Sequence, residues 1–182
     1  PWVADYVGAS DFILLIRSGL ITPRDLTATY ARQSESQYKG TLAWAAADQR
    51  EFAWVSLDPR DNDLPVLWSS IAAAIGTTSG RALVRKRLAS LARERYPAPA
   101  VAGELDYIGS ELVLVLDDCH VIEDEPALGS LLRLAELAPP NLRLVISTRV
   151  DPPWHLARLR ATGRLTEVRA TELEFTLEES TA

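Results

Sequence analysis

Two adjacent carboxylates, Asp117 and Asp118, close the unbroken apolar run Leu112-Val-Leu-Val-Leu. A run without polar alternation predicts a strand covered on both faces, as in a parallel sheet. At such a strand end a first acid can orient a magnesium-bound water, and a second can polarise the attacking water. This is the pattern of a Walker B strand. Two more expected strands end in polar groups: Asp58 after Phe52-Ala-Trp-Val-Ser-Leu, and Ser147-Thr148-Arg149 after Leu142-Arg-Leu-Val-Ile. Open parallel sheets bind ligands beyond the carboxyl ends of their strands, so these three ends locate any chemistry. Arg149 is a candidate for sensing a terminal phosphate, because guanidinium pairs bidentately with phosphate oxygens.

Each candidate has a plainer alternative. Asp117 and Asp118 could form a solvated strand end that caps a turn. Arg149 could be a surface arginine paired with Asp151 or a helix end. His120 is placed to hydrogen-bond the acids as a structural partner. Cys119 lacks a base beside it and reads as a buried, inert thiol. His155 has no case as a functional group.

Composition removes several classes. The 182 residues suffice for one domain, and 47% hydrophobic with 24% charged residues excludes global disorder. A net charge of −6 argues against a surface built to grip nucleic acid or anionic lipid. No apolar run approaches the ~20 residues of a membrane span. One cysteine allows neither an internal disulfide nor a Cys-rich zinc site, which points to a reducing compartment, with cytoplasmic as the default. Phe12–Ile16 is too short for the core of a signal peptide. The sequence has no Gly-x-Gly-x-x-Gly after a strand and no plausibly spaced Ser-His-Asp or Cys-His set, against a small-molecule enzyme.

The elements that must position the acids alternate in type. Residues 1–40 form an uncertain N-terminal segment, in which Phe12–Ile16 suits a buried strand or a short helix, and Thr22-Pro23 a helix start. Residues 41–182 read as one unit. A short helix over Thr41–Gln49 leads to the strand from Phe52, then a turn at Asp61-Asn62-Asp63 and helical spacing over Leu64–Ile75. Gly76–Gly80 is expected to break that helix. Arg81–Arg95 predicts an amphipathic helix with Leu83, Leu88 and Leu91 inside, and Pro97–Gly103 a flexible connection. After the acid pair come a helix over Pro126–Ala138, the strand from Leu142, a short helix over Trp154–Arg160, a strand over Leu165–Arg169 and an extended piece at Leu173–Phe175. The alternation predicts an α/β fold: a parallel sheet with flanking helices and right-handed crossovers.

From about Ala43 to Thr176 the chain resembles the nucleotide-binding domain of the STAND ATPases, and more narrowly that of the large LuxR-type transcriptional regulators. The blocks that carry the resemblance are Trp44-Ala-Ala-Ala, Ala53-Trp-Val-Ser-Leu-Asp-Pro-Arg-Asp-Asn-Asp and Leu112-Val-Leu-Val-Leu-Asp-Asp-Cys-His-Val-Ile. Leu142-Arg-Leu-Val-Ile-Ser-Thr-Arg-Val-Asp-Pro-Pro follows, then Leu165-Thr-Glu-Val-Arg-Ala and Leu173-Glu-Phe-Thr, in order and spacing. The resemblance implies a partial P-loop NTPase-like fold, Asp117 serving magnesium, Asp118 supporting hydrolysis, and Arg149 at the sensor position. It also implies ATP acting as a switch for inducer-dependent self-assembly, with promoters bound by a distant helix-turn-helix domain.

One block departs from the pattern. Where a strand and Gly-x-x-x-x-Gly-Lys-Thr should precede Trp44, the chain reads Ser34-Glu-Ser-Gln-Tyr-Lys-Gly-Thr. Lys39 and Thr41 are the right types to bind a nucleotide, but Gly40 separates them and no glycine lies in the loop before Lys39. A phosphate cradle needs successive backbone N–H groups converging on one anion, in conformations that Ser, Gln and Tyr resist. Glu35 adds negative charge where phosphate would sit. The expectation is a lost P-loop, impaired binding of ATP and Mg, and at most weak ATPase activity. The alternative is a non-enzymatic scaffold that self-associates or binds a protein partner. Neither reading has this segment contacting nucleic acid or a membrane directly.

Overall fold

The computed structural model describes residues 12–16, 51–78, 82–154 and 156–169. Five strands form one sheet: β1 (Phe12–Ile16), β2 (Glu51–Ser56), β3 (Leu112–Asp117), β4 (Leu142–Thr148) and β5 (Leu165–Arg169), in the spatial order β2-β3-β4-β1-β5. The helices are α1 (Leu64–Thr78), α2 (Ala82–Leu91), α3 (Pro97–Ile108), α4 (Glu125–Leu137) and α5 (Ala157–Ala161). β2, β3 and β4 are parallel, with Ser56 beside Asp117 and Leu116 beside Ile146. The α/β fold with a parallel sheet and flanking helices is therefore present, and it is consistent with a P-loop NTPase-like domain. β1 departs from the uniform parallel expectation. It is a strand, and it runs antiparallel to both β4 and β5.

The apolar run of β3 does what its composition demands. Leu112, Leu114 and Leu116 join the core shared with the helices, and Val113 and Val115 on the other face are also buried. α1 brings Leu67, Trp68, Ile71 and Ile75 onto that core. Burying a side chain of this size stabilises by about 1.5–3 kcal/mol, so these four residues make α1 a substantial contributor to the core.

The helix α1 does end within Gly76–Gly80, at Thr78, and still includes Gly76. The missing side chain of Gly76 matters for packing, since a Cβ there would lie 2.9 Å from the Arg85 Cα, so α2 can approach closely. Two local expectations need correction. Leu83 is 69% exposed, and Val84 takes the buried position beside Leu88. Residues 97–103 are helical, not a flexible connection. Pro97 and Pro99 fall in the first turn of α3, where backbone N–H groups have no intrahelical acceptor, so proline costs nothing there. Gly109, at φ 69°, then ends α3 in the left-handed conformation that glycine tolerates best.

The connections place each helix end. α1 starts beyond the carboxyl end of β2 and returns to the other edge of the sheet, where the Thr78 Oγ1 donates to the Phe52 carbonyl at 2.8 Å. α3 ends at that same edge, just before β3 begins. Among the described residues, no helix is long and apolar enough to cross a membrane. The expectations at Thr22-Pro23, Thr41–Gln49 and Leu173–Phe175 lie outside the described residues.

Candidate functional site

The carboxyl ends of β2, β3 and β4 converge on Asp117. Its backbone carbonyl accepts from the Leu57 N–H at 3.0 Å, which continues the β2–β3 ladder past the last strand residue. Its carboxylate Oδ1 accepts from the Asp118 N–H at 3.1 Å and from the Ser147 hydroxyl. The Ser147 Oγ in turn accepts from the Asp118 N–H at 3.1 Å. Three groups from two strands thus close a small ring of hydrogen bonds. Oδ2 of Asp117 makes no hydrogen bond among the described residues.

Asp118 leaves the strand in the left-handed region, at φ 58° and ψ 38°, and it is the one non-glycine with positive φ among the described residues. Aspartate tolerates this conformation better than bulky residues do. The turn swings its side chain away from β3, leaving it about one-third exposed (34%) and its Oδ1 3.8 Å from the His120 Nδ1. That separation is beyond hydrogen-bond reach, so His120 faces Asp118 without bonding it. Cys119 is buried, and burial pushes its thiol up to about 12, which makes it inert as expected.

Burial raises the Asp117 carboxyl above its ordinary value; the Ser147 hydrogen bond opposes that shift and the Asp118 charge adds to it. The sign for stability follows. A carboxyl whose folded pKa is raised stabilises the fold when protonated, and that contribution is lost as pH rises through the folded value. Ionised Asp117 is therefore a liability at neutral pH. Asp117→Asn keeps an acceptor for Ser147 without the buried charge, and is expected to melt higher than the parent at pH 7. The advantage should fade as pH falls toward the unfolded value of 3.8. Urea denaturation at both pH values measures this, and an Asn variant no more stable at pH 7 would refute it.

The other expected site residues are distributed differently. Asp58 is used structurally: it caps the 3₁₀ turn Pro59–Asn62, and the Arg60 guanidinium, 2.5 Å away, holds its carboxyl below the usual range. Arg149 lies exposed just past β4, where the Thr148 Oγ1 donates to the Val150 carbonyl at 2.8 Å. Ser147 is the residue of this strand end that is hydrogen-bonded to the acid pair. Lys39 and Thr41 lie outside the described residues. Among those described, no three His, Cys, Asp or Glu side chains gather to hold a metal ion by themselves.

Asn62, which in the sequence reads only as part of the turn Asp61-Asn62-Asp63, joins two loops. Its amide donates to the Val121 carbonyl at 2.9 Å and the Pro59 carbonyl at 3.2 Å. Its carbonyl accepts from the N–H groups of Glu123 and Asp124 at 2.7 and 2.9 Å. One side chain therefore ties the turn after β2 to the segment that follows the acid pair. Asp124 then caps α4 through the Ala127 N–H at 3.0 Å. The only signal for it was an asparagine inside an acidic turn.

Fold and site together define an α/β domain with a paired-acid strand end, consistent with a P-loop NTPase-like domain. No protein-family model matches the chain. It is homologous to proteins described as HTH-type transcriptional regulator MalT. It is 32% identical to that of Vibrio cholerae over 151 residues, 79% of this chain, and 29% identical to that of Yersinia enterocolitica over 143 residues, 76% of this chain. The regulator of Serratia proteamaculans is 30% identical over 143 residues. The chain spans only about one-sixth of the length of these curated relatives, 16% in each of the three.

Proposed function

We propose that the chain is the nucleotide-switch segment of a LuxR-type transcriptional regulator of the STAND class, with its binding of Mg-ATP impaired. The acid pair carries this reading: Asp117 and Asp118 end a buried parallel strand and are braced by Ser147 from the next. Their chemistry fits a hydrated magnesium ion, which keeps several waters and takes only one or two carboxylates. Asp117 would hold it through Oδ2, and Asp118 would polarise water. Magnesium would supply charge neutralisation for nucleotide phosphates, with Arg149 at their far end. In the parent protein the outcome would be signal-dependent transcription control in the cytoplasm, with DNA contacted by another domain.

Two observations support impairment. Ser34–Thr41 lacks glycines before Lys39, so its backbone resists the cradle conformation. The strand beside β4 also runs the wrong way for a phosphate loop. β1 starts beside Thr148 and ends beside Leu144, so the chain leaves it at the edge opposite Asp117.

A second reading, a non-enzymatic scaffold that self-associates or binds a protein, is favoured by Leu83 and Tyr107, which are 69% and 78% exposed on adjoining helices. Titration with a fluorescent ATP analogue, with and without Mg²⁺, separates the two. Impaired binding predicts dissociation constants in the millimolar range or weaker, about −4 kcal/mol or less favourable. Saturable micromolar binding that weakens in both Asp117→Ala and Lys39→Ala would retain the switch and remove the impairment. A complete lack of binding would leave the scaffold.

A further inference from the structure

We propose that Asn62 is a positioning residue for the acid pair: its side chain holds Asp118 in the left-handed conformation that aims the second carboxylate. The consequence for metal binding rests on the magnesium reading above, whereas the hold on Asp118 stands without metal.

Asn62 reaches the acids from a fixed platform. It closes the 3₁₀ turn Pro59–Asn62, which is anchored on several sides. Leu57, just before the turn, donates its N–H to the Asp117 carbonyl at 3.0 Å. Asp58 caps the turn by accepting from the Arg60 N–H at 2.8 Å. The buried Asp61 accepts from the Asp58 N–H at 2.9 Å and from the Ser70 hydroxyl of α1 at 3.0 Å. Asn62 itself donates twice through its amide and accepts twice through its carbonyl, so the group has a single orientation and no spare capacity.

The segment it grips has to reverse sharply at Asp118, at φ 58° and ψ 38°. A residue with a side chain stays in that region only where its surroundings over-determine it. Upstream, the Asp118 N–H is held by the Asp117 Oδ1 and the Ser147 Oγ. Downstream, the Val121 N–H donates to the Asp118 carbonyl at 3.1 Å, and the Ile122 N–H to the Cys119 carbonyl at 3.2 Å. Those bonds stay inside the turn. Burial of Cys119 and Ile122 keeps it in the core, but that force has no direction and does not specify a backbone angle. Asn62 supplies the directional tie, at Val121, Glu123 and Asp124. With it, residues 118–124 are clamped at both ends. Without it, Asp118 relaxes to a negative φ and its carboxylate turns relative to Asp117. Metal ligands depend on such outer bonds, whose loss weakens binding by about 10–100-fold.

A second tie between α1 and α4 provides the control. Ser130, which accepts from the Trp68 Nε1, lies as far beyond Asp124 as Trp68 lies beyond Asn62. Ser130→Ala cuts this tie without touching the acid loop.

NMR of the 182-residue chain without nucleotide tests both consequences. In the metal-free parent, Asp118 should show the strong intraresidue amide–Hα cross-peak of a positive φ. Asn62→Ala should lose it and Ser130→Ala should keep it. Mn²⁺, which suits the same oxygen ligands as magnesium, should broaden the amides of Asp117, Asp118 and Cys119 first. Asn62→Ala should need about tenfold more Mn²⁺ for the same broadening, and Ser130→Ala no more than the parent. Backbone shifts of β3 check that both variants fold. An Asn62→Ala chain that keeps the cross-peak overturns the proposal, as does its loss in Ser130→Ala. Equal sensitivity of the parent and Asn62→Ala to Mn²⁺ overturns it too. A parent indifferent to Mn²⁺ would remove the magnesium reading, and the cross-peaks would still decide the role of Asn62.

Discussion

Replacing Trp68 by alanine is expected to remove about 3–5 kcal/mol of stability, a large part of what a domain of this size possesses. The indole is fully buried on the inward face of α1, surrounded by the core common to the sheet and helices. It also has a polar task. Its Nε1 donates to the Ser130 hydroxyl of α4 at 2.9 Å, across a boundary where the two helices otherwise touch little. Alanine therefore opens a cavity and frees two helices from each other. Trp68→Phe should cost less, because it keeps most of the apolar volume and lets Ser130 turn to other acceptors. Urea denaturation of both variants gives the comparison. An alanine variant within 2 kcal/mol of the parent would show that the helical layer does not depend on this residue.

Asn62→Ala is expected to cost about 2–3 kcal/mol, although the position lies on a turn where most substitutions are harmless. The reason is the number of backbone groups served by one amide. Removal leaves the Val121 carbonyl and the Glu123 and Asp124 N–H groups to find water, and severs the link between two strand-end loops. Hydrogen exchange locates the damage. The Glu123 and Asp124 amides should exchange at least ~10-fold faster, while those at the centre of β3 hold their protection. Asn62→Asp is an informative companion, since it retains the acceptor but loses both donations and adds charge beside Asp61 and Asp63. Unchanged exchange at Glu123 and Asp124 would mean that the acid-pair loop is held by its own backbone alone.

The sequence disclosed strands more faithfully than helix ends. β3 was legible because a strand buried on both faces tolerates no polar alternation, and Leu112–Leu116 has none. α3 was obscured because proline and glycine discourage a helix in general, yet act differently by position. Pro97 and Pro99 sit where no amide is needed, and Gly109 sits where a left-handed stop is needed. Leu83 misled through hydrophobicity alone. The helical phase that buries Leu88 also buries Val84, one residue along, and turns Leu83 outward. At the site, the acid pair was visible as adjacent residues on a patterned strand. Ser147 was visible only as a strand-end residue, and its bond to Asp117 depends on register between strands 30 residues apart. Asn62 depends on contacts 59 to 62 residues distant and has no local signature.

β1 pairs with β4 on one side and β5 on the other, so Phe12 lies across from Thr148 and from Arg169. On a ribosome this gives the sheet an order of assembly. The parallel strands β2, β3 and β4 can join as they emerge, each closing a moderate loop. β1, the first of these strands to be synthesised, must wait for β4 before it has an edge to meet. β5 must wait for β1. These are the longest closures in the fold, and contacts of such separation are the slow ones. Until they form, β4 shows an open edge, the kind that recruits strands from neighbouring chains. A copy interrupted before residue 165 would keep β1 itself as an edge, and aggregation during synthesis, not loss of the acid pair, would be its first defect.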